Sequence, residues 1–132
     1  FWFHAVWIAK KLQRGELWTA KSCLDCYMKQ HLLWITECHA HVTEGWDYDT
    51  WHDGRFMGVW AEQQVRASIP STFARYDLVD MGRALHSTMD LFHSLAVKVA
   101  ENMQFEYPVE KEQQVIKWVD QALAGLSPFD GA

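Results

Sequence analysis

Apolar residues recur along this chain at steps of three and four, the spacing that lines side chains up on one face of an α-helix. Phe3, Trp7 and Ile8 mark a first stripe, and Gly15 follows where a helix closes on a left-handed glycine, so the pattern predicts a helix over 2–13. A longer helix is predicted from Glu16 to Thr43, its apolar face built from Leu17, Ala20, Leu24, Tyr27, Met28, His31, Trp34, Ile35 and Cys38. Such a helix is roughly 40 Å long, a length that suits a bundle. Residues 45–54, Gly-Trp-Asp-Tyr-Asp-Thr-Trp-His-Asp-Gly, break the period and are dense in turn formers, so a loop is expected there. Residues 55–68 fit one or two short helices closed by Ile69-Pro70. Asp77, with Asp80 three residues on, signals the start of a third long helix. Its stripe is Leu78, Met81, Leu85, Met89, Phe92, Leu95, Ala96, Val99 and Met103. Pro108 disfavours helical geometry at Tyr107 and ends the run. A last helix over about 110–124 is expected to bury Val115, Trp118, Val119 and Leu123, with residues 126–132 as a disordered-looking tail. The expectation is an all-α helical bundle of about four to five helices with one irregular loop near residues 44–54.

Composition narrows the picture. The chain has 132 residues, 12 basic and 17 acidic side chains and a net charge of −5, room for one domain occupying residues 1–125. An acidic chain lacks the basic stripe that neutralises phosphates, which argues against a nucleic-acid partner. No stretch approaches about 18 uncharged apolar residues, so no membrane partner is expected. The opening Phe1-Trp2-Phe3-His4-Ala5-Val6-Trp7 has no basic lead and no small-residue cleavage site, unlike a signal peptide. It has no initiator Met and begins in mid-pattern, so an upstream part of a longer protein is expected. Cys23, Cys26 and Cys38 are an odd set, which fits a reducing, cytoplasmic setting better than a disulfide scaffold. Cys23 and Cys26 have the spacing of a metal or redox pair, but no second pair completes it, and small helix residues are the better reading. The eight tryptophans divide: Trp7, Trp18, Trp34 and Trp118 fit bundle packing, whereas Trp2, Trp46 and Trp51 fall where a cleft or domain seam would need apolar surface.

Three constellations could carry chemistry. Asp47-x-Asp49 has the form of a magnesium-binding pair, but it lies in a turn-rich loop with no strand before it, so local turn hydrogen bonds account for it better. His39 and His41 point away from one another on a helix and do not readily gather with His52 on one ion. Lys10 and Arg14, four apart on one helical face, could clamp an anion such as a phosphate, the competing role being a solvated basic face or ion pairs with Glu16.

The stretch Phe1-Trp-Phe-His-Ala-Val-Trp-Ile-Ala-Lys-Lys-Leu-Gln-Arg-Gly-Glu-Leu-Trp-Thr-Ala-Lys21 resembles the opening of the C-terminal helical domain of streptomycin (aminoglycoside 6-) adenylyltransferases. The loop Gly45-Trp46-Asp47-Tyr48-Asp49-Thr50, the pair Thr72-Phe73, and the run Phe92 to Pro108 are similar to further stretches of that family, in the same order, over residues 1–122. The segment after Gly54, Arg-Phe-Met-Gly-Val-Trp, is less basic than the family's usual run.

The resemblance implies a two-domain enzyme that transfers AMP from ATP to a hydroxyl of an aminoglycoside. ATP and magnesium belong to the parent enzyme, with none bound by this chain alone. The catalytic carboxylates belong to an N-terminal nucleotidyltransferase domain absent from this chain, which is then inactive by itself and holds neither a catalytic residue nor a metal. By the same resemblance Lys10 and Arg14 meet the triphosphate, Glu16 orients Arg14 or meets a cationic acceptor, and Trp2 and His4 line the cleft. A different reading of the same pattern is a non-enzymatic helical interaction or oligomerisation domain, and a homodimer is compatible with either.

Overall fold

The computed structural model describes residues 1–126, and every described element is helical. The elements are α1 (Trp2–Gln13), α2 (Leu17–Ser22), a π turn (Cys23–Tyr27), α3 (Met28–Glu44), α4 (Met57–Trp60), α5 (Gln63–Ser68), a 3₁₀ turn (Ile69–Thr72), α6 (Leu78–Asn102) and α7 (Val109–Leu123). The all-α bundle expected from the periodicity is the fold observed. Of the tail expected at 126–132, Leu126 packs against the core and the rest lies outside the described residues.

Helix α6 is the spine. Asp77 caps it by accepting the Asp80 backbone N–H at 2.8 Å, satisfying one of the donors a helix start leaves free. The Asp80 carboxylate turns outward to the Arg75 N–H and the Arg83 guanidinium, both at 2.7 Å, and these hold it well below the usual carboxylate range. Arg83 also donates to the carbonyls of Ser71 and Phe73, fixing the approach of the preceding segment. At the other end Gln104 takes a left-handed φ of 59° and the Phe105 N–H returns to the Ala100 carbonyl, so Met103 lies past the helix and is exposed rather than part of the stripe.

Two cores flank this spine. Leu78, Met81, Leu85 and Met89 pack with Ile8, Ala9 and Leu12 of α1, Ala20 and Leu24, and Val119 and Leu123 of α7. Phe92, Leu95, Ala96 and Val99 pack with Leu32 and Ile35 of α3, Trp60 and Val65. Phe1 and Trp2 touch both cores, Phe1 stacking on Phe92 with ring centroids 3.8 Å apart.

The run from Leu17 to Glu44 is continuous, as the periodicity predicted, but the π turn inserts one residue into its count. Ala20, Leu24 and Met28 are buried, and beyond the turn the buried set is Leu32, Ile35, Thr36, His39 and Ala40. Ile35 is buried as expected, whereas Leu32, Thr36 and His39 each fall one residue past the expected His31, Ile35 and Cys38, roughly 100° of rotation. Tyr27 and Trp34, expected inside, are therefore 50% and 59% exposed. Phe3 and Trp18 are also outside, at 73% and 76%, and Trp118 is at the surface, while Trp60 is the tryptophan the core encloses. Trp60 donates its indole N–H to the Arg55 carbonyl at 2.8 Å, which ties the 45–56 loop to the bundle.

Candidate functional site

The site begins with how α1 ends. Gly15 adopts φ 72°, a conformation without steric cost for glycine. The Glu16 N–H then folds back onto the Lys11 carbonyl at 3.0 Å, a Schellman-type closure. This return delivers the Glu16 carboxylate to the Lys11 ammonium at 2.6 Å, and leaves Arg14 at 3.9 Å from the other oxygen. Glu16 thus pairs chiefly with Lys11, a residue the sequence reading passed over. The Arg14 side chain is 64% exposed, and the Lys10 ammonium lies 5.7 Å over the Trp118 ring. Cations at this end are favoured by the carbonyl pole of the helix whatever else they do.

Trp2 and His4, two residues apart, occupy opposite flanks of α1. Trp2 packs edge-on to Phe92 and donates to the Tyr107 hydroxyl at 3.4 Å. That hydroxyl donates in turn to Glu112 at 3.1 Å, and His93 Nδ1 meets the same carboxylate at 2.8 Å. Glu112 is 2% exposed, so this network joins α1, α6 and α7 around a buried acid. Burial pushes the Tyr107 hydroxyl up to about 12. His4 instead packs against Tyr27 with ring centroids 4.2 Å apart and planes tilted by 36°, and Tyr27 against His31 at 5.0 Å with a tilt of 57°. Burial shifts both imidazoles below the ordinary histidine range, toward the neutral form. Phe3, His4, Trp7, Cys23 and Tyr27 line a groove of about 260 Å³ whose surface is almost wholly apolar. The five predicted site residues are therefore spread along one helix: Trp2 on its inner flank, His4 in the groove, and Lys10, Arg14 and Glu16 at its carboxyl end.

Phe3, Trp7, Tyr27 and His31 were not singled out as site residues. The signal available for the first two is that Phe3, Trp7, Lys10 and Arg14 follow one another at helical spacing, an aromatic half leading into a cationic half. Tyr27 and His31 reach this face through the π turn.

Asp47 and Asp49 lie in the loop between α3 and α4. Both are exposed, and Asp49 accepts the Trp51 N–H at 2.8 Å in a local turn. Among the described residues no three His, Cys, Asp or Glu side chains gather as a metal-binding group. His39 and His41 diverge as the spacing predicted: His39 is buried with Glu62 at 3.4 Å, whereas His41 stacks on Trp46. All three cysteines are free, and burial pushes the Cys23 and Cys38 thiols up. No helix among the described residues is long and apolar enough to cross a membrane.

Over residues 1–122 the chain matches the family model described as streptomycin adenylyltransferase. It is 21% identical over 120 residues to the aminoglycoside 6-adenylyltransferase of Bacillus subtilis strain 168, covering 91% of this chain and 42% of that protein. The chain therefore spans about two-fifths of the length of the curated relative it matches. It belongs to the streptomycin adenylyltransferase family.

Proposed function

We propose that this chain is the helical, substrate-side domain of an aminoglycoside adenylyltransferase, which moves AMP from ATP to an antibiotic hydroxyl when joined to a nucleotidyltransferase domain. The observation that carries the reading is the family match over 1–122 together with the exposed face of α1, where Lys10 and Arg14 stand clear of the core. Phosphoryl-type transfer depends on positioning and on neutralising charge that spreads over phosphate oxygens, and two cations at one helix end supply the second. Glu16 holds Lys11 beside them and, 3.9 Å from Arg14, limits the directions that guanidinium takes up. Trp2 and His4 border the cleft from opposite flanks of α1, Trp2 through its seat on Phe92 and Tyr107. In this reading magnesium and the carboxylates that hold it belong to the other domain, as the family resemblance implies. Placed in a cytoplasmic enzyme, this chain would contribute to antibiotic resistance.

The test uses the full-length protein that contains these residues, with ATP and streptomycin as substrates and product mass as the readout. Lys10→Ala is expected to lower adenylyl transfer at least about ten-fold, the loss of one charge-assisted contact, while the melting temperature is unchanged. Unchanged transfer removes Lys10 from the site. A stable oligomer with no transfer, surviving charge reversal at Lys10 and Arg14, favours an assembly domain instead.

A further inference from the structure

The outward side of α3 carries an aromatic stripe on a different helix from the cations of α1. Tyr27, Gln30, Trp34, Glu37 and His41 follow one another at steps of three and four, so they share one face, opposite the buried Leu32, Ile35, Thr36 and His39. From residue 27 to residue 41 this stripe runs about 21 Å. Trp34 stands at its midpoint and is more than half exposed. Each end is extended by a further exposed ring: Phe3 lines the same groove as Tyr27, and Trp46 stacks on His41 with centroids 5.6 Å apart. Contiguous exposed apolar surface of this kind marks an interaction site. We propose that this face is the seam of a homodimer, two copies of α3 packing antiparallel across a two-fold axis at Trp34.

The face is complementary to itself in that arrangement. A two-fold axis requires that residue i of one copy meets j of the other and j meets i. With antiparallel helices centred on position 34, Trp34 meets its own counterpart. Tyr27 and Phe3 meet His41 and Trp46 of the second copy, and Gln30 meets Glu37, each contact being made twice. Glu37 is the one carboxylate of the stripe, and it is half-buried. Burial raises it above the ordinary carboxylate range, while His41 and His52 draw it back. A purely apolar partner would strand that carboxylate. The two-fold instead keeps the two Glu37 side chains apart and offers each the Gln30 amide as a donor. Charge also argues against a phosphate-rich surface: Lys29, the one lysine or arginine between 27 and 41, turns inward to the Thr88 hydroxyl and the Phe73 ring. Tryptophan and tyrosine at the centre are the side chains that carry protein interfaces. A helix pair of this length covers less than the ~800 Å² per partner of a standard interface, so the expected dissociation constant is roughly tens of micromolar.

The test is sedimentation velocity of the 132-residue chain, and of the full-length protein that contains it, across concentrations bracketing that constant. Both should pass from monomer to dimer. Trp34→Glu is expected to weaken association at least about thirty-fold, with the melting temperature of the dilute protein unchanged. Trp18→Glu, at an exposed tryptophan off this face, should change neither. Register is read at residue 30, where Gln30→Lys should tighten the dimer about three-fold by meeting Glu37, and Gln30→Glu should loosen it by a similar factor. Equal effects of the two charges overturn the antiparallel pairing. A chain that stays monomeric throughout, or an association that survives Trp34→Glu, refutes the seam. A dimer of the 132-residue chain beside a monomeric full-length protein gives the face to another domain and refutes it equally. The seam assumes nothing about the reaction, so its failure leaves the transfer assay with Lys10→Ala untouched.

Discussion

Helix α6 crosses both cores without a break, whereas the run from Leu17 to Glu44 passes through a π turn at Cys23–Tyr27. Both carry apolar residues at steps of three and four. In α6 the phase is kept over 25 residues, and the stripe from Leu78 to Val99 is spent on packing. In the other run the phase slips by about one residue, so Leu32, Thr36 and His39 join the predicted Ile35 in the core while Tyr27 and Trp34 are handed to the surface. Unbroken periodicity builds the scaffold; broken periodicity brings Tyr27 to the groove, where it meets Phe3, His4 and Trp7 of α1.

That contrast can be broken most directly at Leu85, which is fully buried where α6 meets α1 and α7. Leu85→Ala should cost about 3 kcal/mol, read from the denaturant midpoint, because the cavity cannot collapse between three helices. Next comes Glu112, the buried acid shared by His93 and Tyr107. Glu112→Ala should cost about 2 kcal/mol by stripping both partners of their acceptor, and a change near zero would show that the network only decorates the bundle.

Lys29 links the two regions, its ammonium donating to the Leu24 carbonyl at 3.0 Å and to Thr88 of α6 at 3.3 Å. Burial lowers it from 10.5 to about 8, so between those values the unfolded chain binds more protons than the folded one. Stability from this group should therefore rise with pH across that window. Lys29→Met should flatten the slope, and an identical profile in denaturant melts across alkaline pH would rule the ammonium out as its source. Smallest of all, Trp34→Ser should stay within about 0.5 kcal/mol of the parent, since an exposed side chain away from caps and networks contributes little. A larger loss would mean that the surface aromatic face packs after all.

The sequence made α1 and α6 legible because their ends carry chemistry: Gly15 for one, Asp77 with Asp80 for the other. The helical character of residues 17–44 was equally plain, but nothing in Cys-Leu-Asp-Cys-Tyr marks a change from four-residue to five-residue closure. The faces of Trp34 and Tyr27 were consequently misjudged. Glu112 reads as a solvated charge on an amphipathic helix, and only the approach of His93 and Tyr107 explains why it can be buried. At the candidate site, Lys10 and Arg14 were visible from their spacing. The pairing of Glu16 with Lys11 was not, because it follows from a chain reversal at Gly15 rather than from helical periodicity.

The π turn can also be seen as a tolerated insertion held in the middle of a helix. Deleting one residue within 23–27 would restore a single α-helical rhythm and swing everything downstream by about 100°, exchanging core for surface along α3. The turn thus makes this stretch hypersensitive to length and forgiving of side-chain identity: substitutions at Cys26 touch only solvent, while a one-codon deletion beside it would rewrite which face of the helix the bundle meets.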